Sequence, residues 1–150
     1  MPLLSKSTDL ARNLIRQMDP KGYIVDLDES AVDDFGALMW YLAWVGFGKV
    51  RVRCGRRTMI DQTKLFGQGR TAAAMMGANV PALYAVPDAK IVTWTEPYNS
   101  MHVQGKAIDI DLGEYRADLY PALGMHIKRR GFVWGGDWNV RDYGHIELRR

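Results

Sequence analysis

A chain of 150 residues, 47% hydrophobic and 25% charged, has the size and mixture of one globular domain with its own core, which excludes a disordered chain. Lysine and arginine outnumber aspartate and glutamate by 20 to 17, a net charge of +3 that favours anionic partners only weakly, and the dispersed basic residues carry no nucleic-acid signature. The single cysteine, Cys54, excludes an intrachain disulfide framework and a Cys-rich structural metal site, so a metal would have to be held by histidine and carboxylate.

Residues 7–18 place Leu10, Leu14, Ile15 and Met18 at helical spacing, with Ser7 or Thr8 as N-cap and Asp19-Pro20-Lys21-Gly22 as the stop. The start of the chain has no long apolar run, and no stretch approaches the ~18 to 20 apolar residues of a membrane span. The expectation is a protein made in the cytoplasm, without membrane insertion. A second helix is expected over 30–45, with Val32, Phe35, Leu38, Met39 and Leu42 as its apolar face and Gly46 to Gly48 as its end. Asp26, Asp28, Glu29, Asp33 and Asp34 cluster near its start, where they complement the helix dipole. The glycine and closing glutamate of a calcium loop are missing. Residues 1–48 thus read as a helical N-terminal part, ahead of a motif-bearing part over 49–150, in one domain spanning 1–150.

Residues 49–54 read as a strand in which Cys54 is a small buried hydrophobe, 59–66 as a helix bearing Gln62, and 90–94 as another strand. Between them, 67–88 looks like an irregular connection of a length that is usually functional. Residues 106–112 alternate strictly, so Asp109 and Asp111 project from one face of a strand. A helix over 116–130 contains His126, a surface or structural residue, and is broken or entered at Pro121. Short strands at 132–134 and 145–148 flank the Gly135-Gly136 turn. The fold class is α+β: a small, mainly antiparallel sheet with flanking helices and no repeat or linker.

A catalytic zinc site takes three ligands from His, Asp and Glu and leaves a position for water, whose pKa falls from about 15.7 towards about 7. His102, Asp109 and His145 satisfy that count, and Gly105 lets the backbone turn between the first two. Asp142, three residues before His145, is placed to take the proton as a carboxylate outside the ligand set. Spacing alone leaves open that His102 and His145 are ordinary core or surface histidines and that Asp109 caps a turn. Asp111 is the rival ligand.

The string Ser100-x-His102-x-x-Gly105-x-Ala107-x-Asp109 is followed by Trp134-Gly-Gly-Asp-Trp138 and then by Asp142-x-x-His145-x-Glu147. Upstream lie Gly55-Arg56-Arg57-Thr58, Gln62 and Gly69-Arg70-Thr71. In this order, the four elements resemble the zinc peptidase family of VanY-type D-alanyl-D-alanine carboxypeptidases and phage L-alanyl-D-glutamate endopeptidases. The resemblance covers roughly residues 50 to 150; the stretch between Thr71 and Asn99 departs from the family's shorter Gly- and Thr-rich approach.

The resemblance implies a metal site in a cleft on the sheet, with His102, Asp109 and His145 as ligands to Zn2+. It makes Asp142 the catalytic acid or base and Arg57 the arginine that binds substrate and stabilises the oxyanion, with Arg56 one register step away. Ser100, Gln62, Glu147 and Trp138 are expected to bind substrate or support the ligands, and Trp134 and Asp137 to lie near the cleft, Trp134 equally as core packing. The expected activity is hydrolysis of peptidoglycan stem peptides by a monomer, as an endolysin-type L-alanyl-D-glutamate endopeptidase. The alternatives are a D-alanyl-D-alanine carboxypeptidase and, in another class, a non-catalytic zinc-containing wall-binding or virion module.

Overall fold

The computed structural model describes residues 9–150. Along the chain run α1 (Asp9–Met18), α2 (Glu29–Leu42), β1 (Arg51–Cys54), α3 (Met59–Gly67), α4 (Ala72–Gly77), β2 (Ala107–Asp111), α5 (Tyr120–Arg129), β3 (Phe132–Trp134) and β4 (His145–Leu148). They fall into two compact units: the chain to Arg56 together with Gly105–Arg150, and Arg57–Gln104. No helix among the described residues is long and apolar enough to cross a membrane.

The first unit is an α+β layer structure around an antiparallel sheet of order β1-β2-β4-β3. Ile108 pairs with Ile146, and Phe132 and Trp134 pair with Leu148 and Ile146. With a side-chain period of two, these residues share one face. That face is buried against Phe35, Leu38 and Leu42 of α2 and Leu123 and Ile127 of α5. Each such side chain removed from water contributes about 1.5–3 kcal/mol, and the Phe35 and Phe132 rings meet at 4.9 Å between centroids. The same period turns Asp109, His145 and Glu147 to the opposite face. Oily and working sides are thus set by alternation alone.

The helix boundaries have local causes. Asp28 caps α2 by accepting from the Ser30 amide at 3.0 Å, and the α-helix gives way at Ala43–Phe47 to a wider turn containing Gly46 at φ 104°, three residues before the expected end. Asp19, buried, accepts from the amides of Tyr23 and Ile24 at 2.9 and 2.8 Å, shaping the turn after α1. The cap expected for α1 at Ser7 or Thr8 lies outside the described residues. The helix over 116–130 is entered rather than broken at Pro121, which sits in the first turn of α5 after a 3-10 turn, where its missing N–H costs nothing.

The second unit corrects two expectations. Residues 67–88 are not wholly irregular, since Thr71 accepts from the Ala74 amide at 3.1 Å and starts α4. The alanines and methionines that follow are strong helix formers, and Met75 buries with Phe66 and Val80 in a small core of this unit. Residues 90–94 form no strand. Val92 and Trp94 are exposed, and the Thr93 carbonyl accepts instead from the Arg70 guanidinium at 2.9 Å. A run of β-forming residues with no buried face has nothing to hold it in a sheet.

Candidate metal centre

Asp109 of β2 stands opposite His145 of β4 in the sheet register. Entry to β4 requires close backbone approach: the Ile110 amide donates to the Gly144 carbonyl at 2.8 Å, and a Cβ on Gly144 would meet the Ile110 carbonyl at 2.5 Å. Asp142 is fixed through its backbone, its amide donating to Gly135 at 3.0 Å and its carbonyl accepting from the His145 amide at 3.2 Å. Gly135 has no room for a side chain there, because its Cβ would lie 2.4 Å from the Asp142 carbonyl. The Gly135-Gly136 turn therefore delivers Asp142 to the sheet face. One donor atom each from Asp109, Asp142 and His145 lies within 4.8 Å of the others.

The electrostatics of this cluster are strong. His145 Nδ1 is 3.3 Å from Asp109 Oδ1 and its Nε2 is 2.8 Å from Glu147 Oε2, with both His145 and Glu147 buried. Burial alone would lower the imidazole pKa, but the hydrogen bonds and charges of Asp109 and Glu147 outweigh it and raise it to about 9. Trp138, partly exposed, packs its ring 4.7 Å from the His145 ring. Asp109 and His145 offer a carboxylate oxygen and an imidazole nitrogen of the kind that suits a borderline divalent ion such as zinc, and the exposed carboxylate of Asp142 stands beside them.

Arg57, Gln62, Ser100 and His102 lie in the second unit. The Arg57 amide donates to the His102 carbonyl at 3.0 Å, so the structure brings these two together. Arg57 Nη1 donates to Gln62 Oε1 at 2.7 Å, and Gln62, Ser100 and His102 are all buried. Gln62 is presented by α3, whose start Thr58 caps by accepting from the Asp61 amide at 3.1 Å. Arg56, by contrast, is exposed; Arg57 is the one held at its head group.

Other expected residues have structural duties. Asp111 is exposed and accepts from the Gly113 amide at 2.8 Å, capping the turn after β2. His126 Nδ1 hydrogen-bonds the Tyr41 hydroxyl at 2.8 Å, tying α5 to α2. Trp134 is core: its Nε1 donates to the Tyr143 carbonyl at 2.9 Å, and its ring is covered by Gly124 and Gly136. Asp137 pairs with Lys128 at 2.9 Å.

Cys54 is only half-buried, because a bulge between Val52 and Cys54 shifts the register and sets it opposite Asp109. The alternating run 50–54 gave no sign of that extra residue, since a bulge leaves the local pattern unchanged.

The sheet face thus carries a carboxylate-histidine cluster with the donor atoms to hold a divalent cation. Residues 93–148 match the peptidase family described as D-alanyl-D-alanine carboxypeptidase, a segment that contains His102, Asp109, Asp142 and His145. The fold is similar to that of the Serratia marcescens L-Ala D-Glu endopeptidase ChiX, at 17% identity and a TM-score of 0.52 over 90% of this chain and 92% of that one. It is also similar to a mutant of the vancomycin-resistance D,D-pentapeptidase VanY from a VanB-type cassette, in complex with Zn(II). There the identity is 18% and the TM-score 0.50, over 81% of this chain and 72% of that one. The match over 93–148 and the shared fold agree with the motif resemblance to the VanY-type zinc peptidases.

Proposed function

We propose that this chain hydrolyses peptide bonds in the stem peptides of bacterial peptidoglycan, cutting between L-alanine and D-glutamate, as one peptidase domain over 1–150. The observation that carries the reading is the cluster of Asp109, Asp142 and His145 on one sheet face. In this reading Asp109 and His145 hold zinc together with His102, whose place in the set comes from the motif. Zinc, when bound, supplies a Lewis acid that polarises a carbonyl and acidifies water.

The chain's own groups do the rest. Asp142, exposed and outside the ligand set, takes a proton from the attacking water and returns it to the leaving amine. Arg57, its head group oriented by Gln62, presents a permanently charged guanidinium to the oxyanion or to a substrate carboxylate. Trp138 offers an exposed ring edge beside His145 to exclude water and hold the peptide. Ser100 contributes a hydroxyl to the same peptide. The protein acts as a monomer on the wall, after release from the cytoplasm in which it is made, in the manner of an endolysin.

The extensive mutual coverage with an L-Ala D-Glu endopeptidase supports this choice of bond. The family description over 93–148 favours a second reading, removal of terminal D-alanine. Mass spectrometry of fragments released from purified peptidoglycan separates them: new N-terminal D-glutamate is expected, and free D-alanine in its place would establish the carboxypeptidase. If neither is released by the zinc-loaded protein, the enzymatic reading fails and a wall-binding module remains.

A further inference from the structure

We infer that Glu147 is a positioning residue for the metal centre, holding the His145 ring by Nε2 so that Nδ1 is the nitrogen turned to Asp109. This rests on the zinc peptidase reading above and adds to it a residue that touches neither substrate nor metal. The two side chains share a face because they are two apart on β4. In register, Glu147 has Ala107 on one side and Val133 on the other, neither of which offers its carboxylate a polar side chain. A buried carboxylate among apolar neighbours is costly unless it is hydrogen-bonded. Its short contact is to His145 Nε2, at 2.8 Å. Arg150 lies 3.8 Å from its other oxygen and is largely exposed, so it contributes little.

The chemical consequence follows from the two ring nitrogens. A carboxylate that accepts from Nε2–H keeps the proton there and leaves the Nδ1 lone pair free to bind a cation, while making the ring a stronger donor. Trp138, its ring tilted against that of His145 at 4.7 Å between centroids, restrains the imidazole from rotating away.

The test uses the full chain loaded with zinc. In protein labelled with 15N-histidine, long-range proton–nitrogen correlation should show His145 protonated at Nε2 and metal-shifted at Nδ1. Glu147→Ala should weaken zinc binding by roughly 10- to 100-fold in chelator competition, and Glu147→Gln, which keeps an acceptor without the charge, should recover part of that loss and retain the Nε2–H signal. A zinc-loaded wild type with the proton on Nδ1, an unchanged affinity in Glu147→Ala, or a Glu147→Gln no better than Glu147→Ala would each overturn the assignment. Should Glu147→Ala fail to fold, the wild-type spectrum still decides. A wild type that binds no zinc would sink the metallopeptidase reading instead, a separate and recognisable failure.

Discussion

Asp109 and His145 face one another across the two central strands, with Oδ1 and Nδ1 3.3 Å apart. In the metal-free chain that contact is an ion pair, because His145 stays protonated up to about pH 9. A cation entering the cluster must displace the proton. Affinity should therefore rise about tenfold per pH unit on the acid side of that value, through this group. Titration calorimetry in buffers of different ionisation enthalpy should count close to one proton released per zinc from His145 at neutral pH; no proton release would contradict the ion pair.

The same pair has a signed effect on the stability of the metal-free protein. His145 has its pKa raised from 6.5 to about 9 on folding, so its contribution is fully present below the lower value and is lost as pH rises through the upper one. Urea denaturation of chelator-treated protein should show stability falling between about pH 7 and about pH 9.5, by an amount on the order of a few kcal/mol at most. His145→Ala should flatten that slope.

Removing the proton acceptor should separate chemistry from binding. Asp142→Ala is expected to retain zinc while losing about 10²- to 10⁴-fold in kcat on peptidoglycan, whereas His145→Ala should lose both metal and activity. Metal content by atomic spectroscopy, read beside turbidity loss of a wall suspension, checks the split. Wild-type hydrolysis by Asp142→Ala would end the assignment of Asp142.

The two adjacent arginines should behave differently. Arg57→Lys cannot reproduce both the fork geometry and the contact to Gln62, and kcat/KM is expected to fall at least about tenfold with zinc content unchanged. Arg56→Lys, on an exposed side chain, should stay within about twofold. A reversed order in steady-state assays on a stem-peptide substrate would move the role to Arg56.

The indole of Trp134 makes two glycines irreplaceable. A Cβ on Gly124 would lie 2.2 Å from its ring and one on Gly136 2.3 Å, both too close for any side chain. Gly124→Ala and Gly136→Ala should each cost about 1–3 kcal/mol, measured by chemical denaturation. Gly136→Ala, next to the turn that fixes Asp142, should also lower activity.

Much of this architecture is legible in the sequence. The α2 apolar face and the alternation of 106–112 were visible because burial on one side imposes a period, and β3 and β4 were located from their flanking glycines. Asp109, Asp142 and His145 were legible as motif spacing, although the spacing alone did not distinguish Asp109 from Asp111. Local hydrogen bonding separates them, since Asp111 caps its own turn. Where burial imposes no period, the sequence misleads: 90–94 is rich in β-formers while leaving Val92 and Trp94 in solvent, and α4 hides in a segment whose Gly and Pro content suggested a loop. The bulge at Cys54 was invisible, because it changes pairing and not composition.

The odd-even rule on β4 has an implication for how the chain can change length. Deleting one residue from that strand would point Ile146 outward and His145 into the oil, so a single indel would abolish metal capture and cohesion of the interior together. Amino acids there are open to exchange, but their number is not; any lengthening or shortening has to be absorbed by the loops on either side.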